Sequence, residues 1–276
     1  MVELVAETLE LPSGLAIPTL GLGTWDLRGK EGLRAIADAL AMGYRHIDTA
    51  EMYDNHEIVG EAISDYERAE LFITSKVDSS HLHYDDVLAV CDATLLELDT
   101  DYLDLFLIHW PNPDVPMQQT FDALEHLVER GKVRDIGVSN FQPHRMHQAL
   151  EISPHPIANN QVELHPFLWQ EELVSLCHEN DVTVTAYAPL ARQRILQDET
   201  IQMIADKHDV TPAQVSLRWL LQKGCIVIPR STSEEHLRTN MQLFDWGLSA
   251  VDMQAIDDIP HEERIVNPTF EDFQRE

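Results

Sequence analysis

The feature that most constrains this chain is a steady alternation of short apolar runs with segments of helical period, continued over nearly all of its 276 residues. Strand-like runs fall at 19–22, 44–48, 71–75, 103–108, 133–138, 157–162, 182–187 and 225–228. Between them, residues 31–42 put Leu33, Ile36, Ala37, Leu40 and Ala41 on one stripe. Residues 85–98 and 120–130 repeat the pattern, the second ahead of a stop at Gly131. Thr211 and Pro212 read as the N-cap and first residue of a helix running to about Lys223. Runs such as LDLFLIHW are apolar on both faces, which suits strands covered by helices outside and by a barrel core inside. Eight such runs with no linker or break in composition predict one α/β domain over 1–276, folded as a (β/α)8 TIM barrel. A β-hairpin is expected ahead of it in ETLELPSG, turning at Ser13 and Gly14. The rival fold is a doubly wound sheet. Its G-x-G-x-x-G fingerprint is incomplete in Gly21-Leu22-Gly23-Thr24-Trp25-Asp26, which reads as a tight strand-to-helix turn.

Charge narrows the partners. The chain carries 48 Asp and Glu against 19 Lys and Arg, a formal net charge of −29 spread along its length. Such a surface repels nucleic acid and anionic membranes. No run approaches the roughly 20 apolar residues of a membrane span. The segment MVELVAETLE has neither the basic flank nor the apolar stretch of a secretory leader, so a cytoplasmic protein is expected. The excess of acid predicts a halophile's surface, whose self-repulsion multimolar salt screens to about 3 Å; the alternative is an acidic mesophilic protein. Cys91, Cys177 and Cys225 are scattered without C-x-x-C spacing and read as small buried hydrophobes. His81 and His83 lack the further ligands of a zinc hydrolase, and no metal site is expected.

In a TIM barrel, chemistry sits where the strands end. Reading only those positions gives Asp48, Lys76, His109, Ser139, Asn140, Gln161, Tyr187, Arg230 and Ser231, with Tyr53 five residues beyond Asp48. Taken singly, each has an ordinary explanation. Asp48 could cap the next helix, His109 could be a satisfied core residue, and Tyr53 could be a loop tyrosine. Lys76 is one of only five lysines, which favours a specific task. Together they form a set suited to carbonyl reduction. Hydride arriving at a carbonyl leaves negative charge on oxygen, and a nearby acid must supply a proton. Free tyrosine, with a pKa of about 10, is a reluctant donor. A neighbouring ammonium would lower that pKa, and a carboxylate would hold the ammonium in place. Asp48, Lys76 and Tyr53 supply these parts, and His109 can orient the carbonyl oxygen.

The segments GYRHIDTAEMYDN, LFITSKV, LFLIHWP, IGVSNF, NNQVELHP, TAYAPL, TPAQVSLRWLLQKG and IVIPRSTSEEHLRTN resemble motifs of the aldo-keto reductase family. The likeness runs from the hairpin to RIVNPTFEDF. It implies a catalytic tetrad of Asp48, Tyr53, Lys76 and His109, with Tyr53 as general acid/base. It also implies that Ser139, Asn140 and Gln161 hold a nicotinamide carboxamide on which the ring of Tyr187 stacks. Pro189 and Leu190 match the turn that passes the pyrophosphate. Thr24, Trp25, Ser231, Thr232 and Asn240 fall among the cofactor contacts, and Trp25 and Trp110 match aromatic walls of a substrate pocket shared with Tyr53 and His109. The function so implied is reduction of aldehydes or ketones at the expense of NADPH by a monomeric enzyme.

Departures from the pattern qualify the cofactor. Arg230 stands where lysine is usual at the adenosine 2′-phosphate, and a guanidinium can hold phosphate in a bidentate way. His236 replaces an arginine and gives up fixed charge. NADPH is therefore expected with a weakened preference, and NADH as a weaker or dual cofactor. His56 stands where glutamate is usual and has no functional account from sequence. Arg192 follows a glycine-poor turn as an extra contact for the pyrophosphate. Short loops, WPNPDVPMQQT among them, suit an open pocket like that of prokaryotic members that reduce keto sugars, α-dicarbonyls and simple aldehydes. Two other classes stay open: a nicotinamide-binding barrel acting as a sensor or subunit without turnover, and a glycosidase using Asp48 and Glu163.

Overall fold

The computed structural model describes residues 7–260 and 263–267; the opening of MVELVAETLE and the end of RIVNPTFEDF lie outside them. A hairpin pairs β1 (Thr8–Glu10) with β2 (Ala16–Pro18) in antiparallel register. The chain then alternates through β3 (Gly21–Gly23), α1 (Gly29–Met42), β4 (His46–Asp48), α2 (His56–Ile63), β5 (Phe72–Val77), α3 (Tyr84–Leu98) and β6 (Leu103–Ile108). It continues with α4 (Met117–Glu129), β7 (Val133–Ser139), α5 (Pro143–Ile152), β8 (Ile157–Glu163), α6 (Glu171–Glu179) and β9 (Thr183–Tyr187). The last described elements are α7 (Glu199–His208), α8 (Pro212–Gln222), β10 (Ile226–Val227), α9 (Glu234–Asn240) and α10 (Ala250–Asp257).

Strands β3 to β10 form one eight-stranded parallel sheet in sequence order. Its two ends meet: Leu20 bridges Val227 in parallel, and the Val227 N–H donates to the Thr19 carbonyl at 2.8 Å. This is the TIM barrel that the alternation predicted. Gly21–Gly23 is strand, and the strand-to-helix turn follows it at Thr24–Leu27, where the Leu27 N–H donates to the Thr24 carbonyl at 2.9 Å. A Cβ on Gly21 would lie 2.6 Å from His46 Nδ1, and one on Gly23 would lie 2.7 Å from the Ile228 carbonyl oxygen. The two glycines thus let the first barrel strand close against its neighbours.

Strand boundaries moved where tertiary pairing decided them. The run at 157–162 extends to Glu163 because Glu163 pairs in register with Tyr187. The run at 71–75 extends to Val77, so Lys76 lies inside β5 and not beyond it. The run at 225–228 shrinks to Ile226–Val227. Helix α1 buries Gly32, Ala35, Ile36, Ala39 and Leu40, while Ala37 and Ala41 face outward. The apolar stripe is rotated towards the small residues, which lets the helix lie close on the barrel. Gly131 stops α4 with φ 71°, and Thr211 caps α8 in a reciprocal pair with Gln214.

Candidate active site

Strand β4 delivers Asp48 and β5 delivers Lys76 to the barrel interior, both essentially inaccessible to solvent. Lys76 Nζ lies 2.6 Å from Asp48 Oδ1, donates to the Thr49 carbonyl at 2.9 Å and reaches the Tyr53 hydroxyl at 3.4 Å. Gln161 Nε2 donates to the other Asp48 oxygen at 2.7 Å. The carboxylate is therefore clamped from two strands and fixes the ammonium beneath the phenol. Tyr53 comes from a short 3-10 turn, Glu51–Tyr53, ended by Asp54 in the left-handed region at φ 53°. His109 follows β6, and its ring meets that of Tyr53 edge-on with centroids 5.6 Å apart. Its Nδ1 is buried without a hydrogen-bond partner. The structure thus brings Asp48, Tyr53, Lys76 and His109 together from four segments of the chain.

Burial sets the protonation states. The Tyr53 phenol is pushed well above its ordinary pKa, first by desolvation and then by the Asp48 carboxylate. This corrects the expectation that Lys76 makes the phenol more acidic: loss of water around the hydroxyl outweighs the ammonium. Lys76 is itself pulled down by burial, with Asp48 opposing. His109 is held well below its usual range by burial and then by Lys76, so its imidazole is neutral near pH 7.

The neighbouring strand ends form a second polar group. Ser139 Oγ donates to the Gln161 carbonyl at 2.8 Å, and Asn140 Nδ2 donates to the His109 carbonyl and to Ser139 Oγ at 3.0 Å each. Asn140 adopts φ 63°, and the Tyr187 hydroxyl donates to its Oδ1 at 2.8 Å. Side-chain amides and a tyrosine ring are thereby gathered beside the Asp48, Lys76 and Tyr53 cluster.

Residues 19–260 match the model of the aldo/keto reductase family. The chain belongs to that family. It is 42% identical over 262 residues to the glyoxal reductase of Bacillus subtilis (strain 168), covering 94% of this chain and 95% of that one. To the methylglyoxal reductase DkgB of Escherichia coli O157:H7 it is 39% identical over 259 residues, covering 92% and 97%. Among solved structures it is similar to MGS-M4, an aldo-keto reductase from a Medee basin deep-sea metagenome library. The TM-score is 0.91 at 38% identity, with 94% of this chain and 97% of that one covered.

The remaining predicted residues of this aldo/keto reductase divide into committed and open groups. Thr24 is buried and spends its hydroxyl on the Asp48 carbonyl at 3.0 Å. Asn240 is buried beside the Tyr44 phenol, and Ser231 and Ser233 bond one another at the approach to α9. The Thr232 carbonyl accepts from Arg34 at 3.4 Å. Pro189 is anchored through its carbonyl to Ser216 at 2.7 Å, and Leu190 is half-buried. Trp110 is buried and stacks beside His109. Trp25 is 53% exposed, with the guanidiniums of Arg192 and Arg230 at 5.7 and 6.0 Å from its ring. His236 is exposed on the first turn of α9.

Three residues gained a clearer place than sequence gave them. Asn55 is buried, accepts from Thr49 at 2.7 Å and donates to the carbonyls of Thr24 and Leu27, which braces the loop carrying Trp25. Its signal was only adjacency to Tyr53. His56 is a staple: its ring nitrogens meet Glu97 at 3.1 Å and Ser75 Oγ at 2.9 Å, tying α2 to α3 and β5. Glu163 has no solvent exposure, and its carboxylate is taken up by His165, Ile265 and Val266. Both carboxylates of the glycosidase alternative are therefore engaged, Asp48 by Lys76 and Gln161 and Glu163 by these three. His81 pairs with Glu51 at 2.6 Å while His83 meets Gln119 at 3.4 Å, so the two imidazoles serve different partners.

Proposed function

We propose that this aldo/keto reductase reduces small aldehydes, ketones and dicarbonyls to alcohols with NADPH, Tyr53 delivering the proton. The observation that carries this reading is the Lys76 ammonium, held by Asp48 at 2.6 Å and reaching the Tyr53 hydroxyl at 3.4 Å. The residues present fit a nicotinamide dinucleotide. Ser139, Asn140 and Gln161 offer the donors and acceptors that a carboxamide needs, and Tyr187 offers a flat ring. Arg230 would hold a 2′-phosphate, with Pro189, Leu190, Arg192, Ser231, Thr232, Asn240 and His236 along the rest of the dinucleotide. When bound, the nicotinamide supplies the hydride.

The protein's part is to handle charge on oxygen. Tyr53, kept neutral by its surroundings, donates its hydrogen bond to the carbonyl oxygen, and neutral His109 orients that oxygen from the other side. As the proton leaves the phenol, Lys76 stabilises the phenolate, and Asp48 keeps Lys76 from moving away. The ammonium therefore acts after proton transfer begins, which reconciles a raised resting pKa with a catalytic role. Trp25 and Trp110 would wall the substrate.

Small dicarbonyls are favoured because the glyoxal and methylglyoxal reductases named above are similar along almost their whole lengths. His236, where the family resemblance implies an arginine, supports a weakened preference for NADPH over NADH. The three free, buried cysteines suit a reducing cytoplasm. The charge of −29 supports a halophilic enzyme, monomeric and most stable in multimolar salt.

NADPH oxidation with methylglyoxal and 4-nitrobenzaldehyde, in dilute and multimolar salt, tests the proposal. Tyr53→Phe should lower turnover about a hundredfold or more while cofactor affinity, read by protein fluorescence, stays within about twofold. Wild-type protein that binds NADPH yet reduces nothing across a broad carbonyl panel would instead make the chain a non-catalytic nicotinamide-binding barrel. Full stability in dilute buffer would remove the halophilic reading.

A further inference from the structure

Residues two apart on a strand share a face, so Gln161 and Glu163 point the same way from β8. Gln161 reaches Asp48 in the barrel interior, which places Glu163 on that inward face at the very end of the strand. Its register partner on β9 is Tyr187. Glu163 is thus a fully buried carboxylate at the mouth of the barrel, next to a residue assigned above to the nicotinamide, and proton transfer makes no use of it.

A buried carboxylate is costly unless hydrogen bonds replace its water. Here the replacement comes largely from a segment about a hundred residues away. Glu163 Oε1 accepts from the Ile265 N–H at 2.7 Å and meets His165 Nε2 at 2.9 Å; Oε2 accepts from the Val266 N–H at 2.8 Å. Further ties run along the same segment. The Glu263 N–H donates to the Phe167 carbonyl at 2.8 Å, and its carboxylate pairs with Arg194 beyond β9. Arg264 donates to Gln170 Oε1 at 3.0 Å, and Gln170 Nε2 returns to the Glu163 carbonyl at 2.9 Å. The Arg194 and Glu263 side chains are half exposed, where ion pairs contribute little. The paired amides on a buried charge are the strong fastening.

We propose that Glu163 is a positioning residue that buckles residues 263–266 across the barrel mouth beside Tyr187, making them a wall of the substrate site. The assignment rests on the reductase reading above. A wall that touches substrate equally before and during reaction acts on KM and leaves kcat nearly untouched. The same strap is joined through Arg194 to the loop after β9, so its looseness would be felt on one side of the mouth without disturbing Tyr53 and Lys76.

Glu163→Gln keeps the shape but sets an amide NH2 against one of the two strap N–H groups. Hydrogen exchange at Ile265 and Val266 should quicken about tenfold or more while β8 amides keep their protection. KM for methylglyoxal should rise about tenfold, with kcat and the NADPH dissociation constant within about twofold. Ile265→Pro removes one donor and leaves Glu163 intact; it should raise KM in the same way, and it carries the test if the glutamine variant does not fold. Unchanged exchange at Ile265 and Val266 overturns the buckle. Faster exchange with unchanged KM, or a fall in kcat at constant KM, overturns the substrate-wall role and leaves a purely structural anchor. A wild-type chain inactive on every carbonyl sinks the reductase reading instead, and the exchange rates still decide the buckle.

Discussion

The two ends of the barrel carry similar chemistry to opposite purpose. At the base, Asp104 at the start of β6 is buried and three donors meet its carboxylate. Arg68 Nη2 is at 2.7 Å, the Ile73 N–H at 2.9 Å and Arg134 Nη1 at 3.5 Å. Arg68 is in turn fixed by Thr100 and by the carbonyls of Leu71 and Tyr102, and the Tyr102 ring lies between Arg68 and Arg134. His46 there engages the Pro18 carbonyl and Thr74 with its two nitrogens. At the mouth, Asp48 and Lys76 are as deeply buried, but Lys76 turns its third contact on the Tyr53 hydroxyl at 3.4 Å, and His109 leaves Nδ1 without a partner. Charge alone does not mark a reactive site. A cluster whose groups bind one another holds the fold together; one that leaves an imidazole nitrogen over beside a phenol has bonding capacity for a visitor.

The largest expected effect comes from Lys76→Met. Removing the cation leaves Asp48 buried without its counter-charge, a loss of about 3–5 kcal/mol in stability. Turnover should fall about a hundredfold or more, because the phenolate loses its partner. Denaturant titration beside NADPH kinetics measures both, and an active variant would erase the contrast between the two ends. Arg68→Ala probes the base. It should lower stability by about 2–3 kcal/mol, since Arg134 and Ile73 still serve Asp104, with kcat and KM unchanged within about twofold. A marked loss of activity in a folded Arg68 variant would break the division of labour.

The smallest effect is in pH dependence. Burial lowers the His46 pKa to about 4 in the fold. An unfolded histidine takes a proton near pH 6.5, so below that value the unfolded chain binds more protons than the native one. Stability is therefore lost as pH falls from about 6.5 towards 4. His46→Gln should make that part of the profile shallower without altering turnover at pH 7, the rest of the slope belonging to His56 and His109, and unfolding midpoints at several pH values would show it. An unchanged acid slope would mean that His46 is not the group responsible.

How much of this was readable in advance depended on the range of the interaction. The alternation of runs, the caps at Thr211 and Gly131 and the apolar strands such as β6 are local signals, and the barrel follows from them. The candidate site was legible as well, since a barrel presents residues at or near its strand ends, where Asp48, Lys76, His109, Ser139 and Asn140 lie. The protonation state of Tyr53 was not. Sequence placed an ammonium near a phenol and so suggested a more acidic tyrosine, whereas desolvation is a property of everything packed around the hydroxyl and reverses the direction. His56 and Asn55 were ambiguous for a related reason, because their partners lie on other elements of the barrel.

What the sequence by itself determined, then, is the periodicity of the chain and the identity of the polar groups brought to one rim, because both are written in neighbouring residues. Only the tertiary structure decided which of those groups are satisfied. Glu163 is the sharpest case. In sequence it is one more carboxylate near a strand end, and it became the anchor of residues 263–266 only when folding removed its water and brought the Ile265 and Val266 amides within 2.7 and 2.8 Å. The strength of a hydrogen bond and the ionisation of a side chain depend on the medium around them, and the closed barrel supplies that medium.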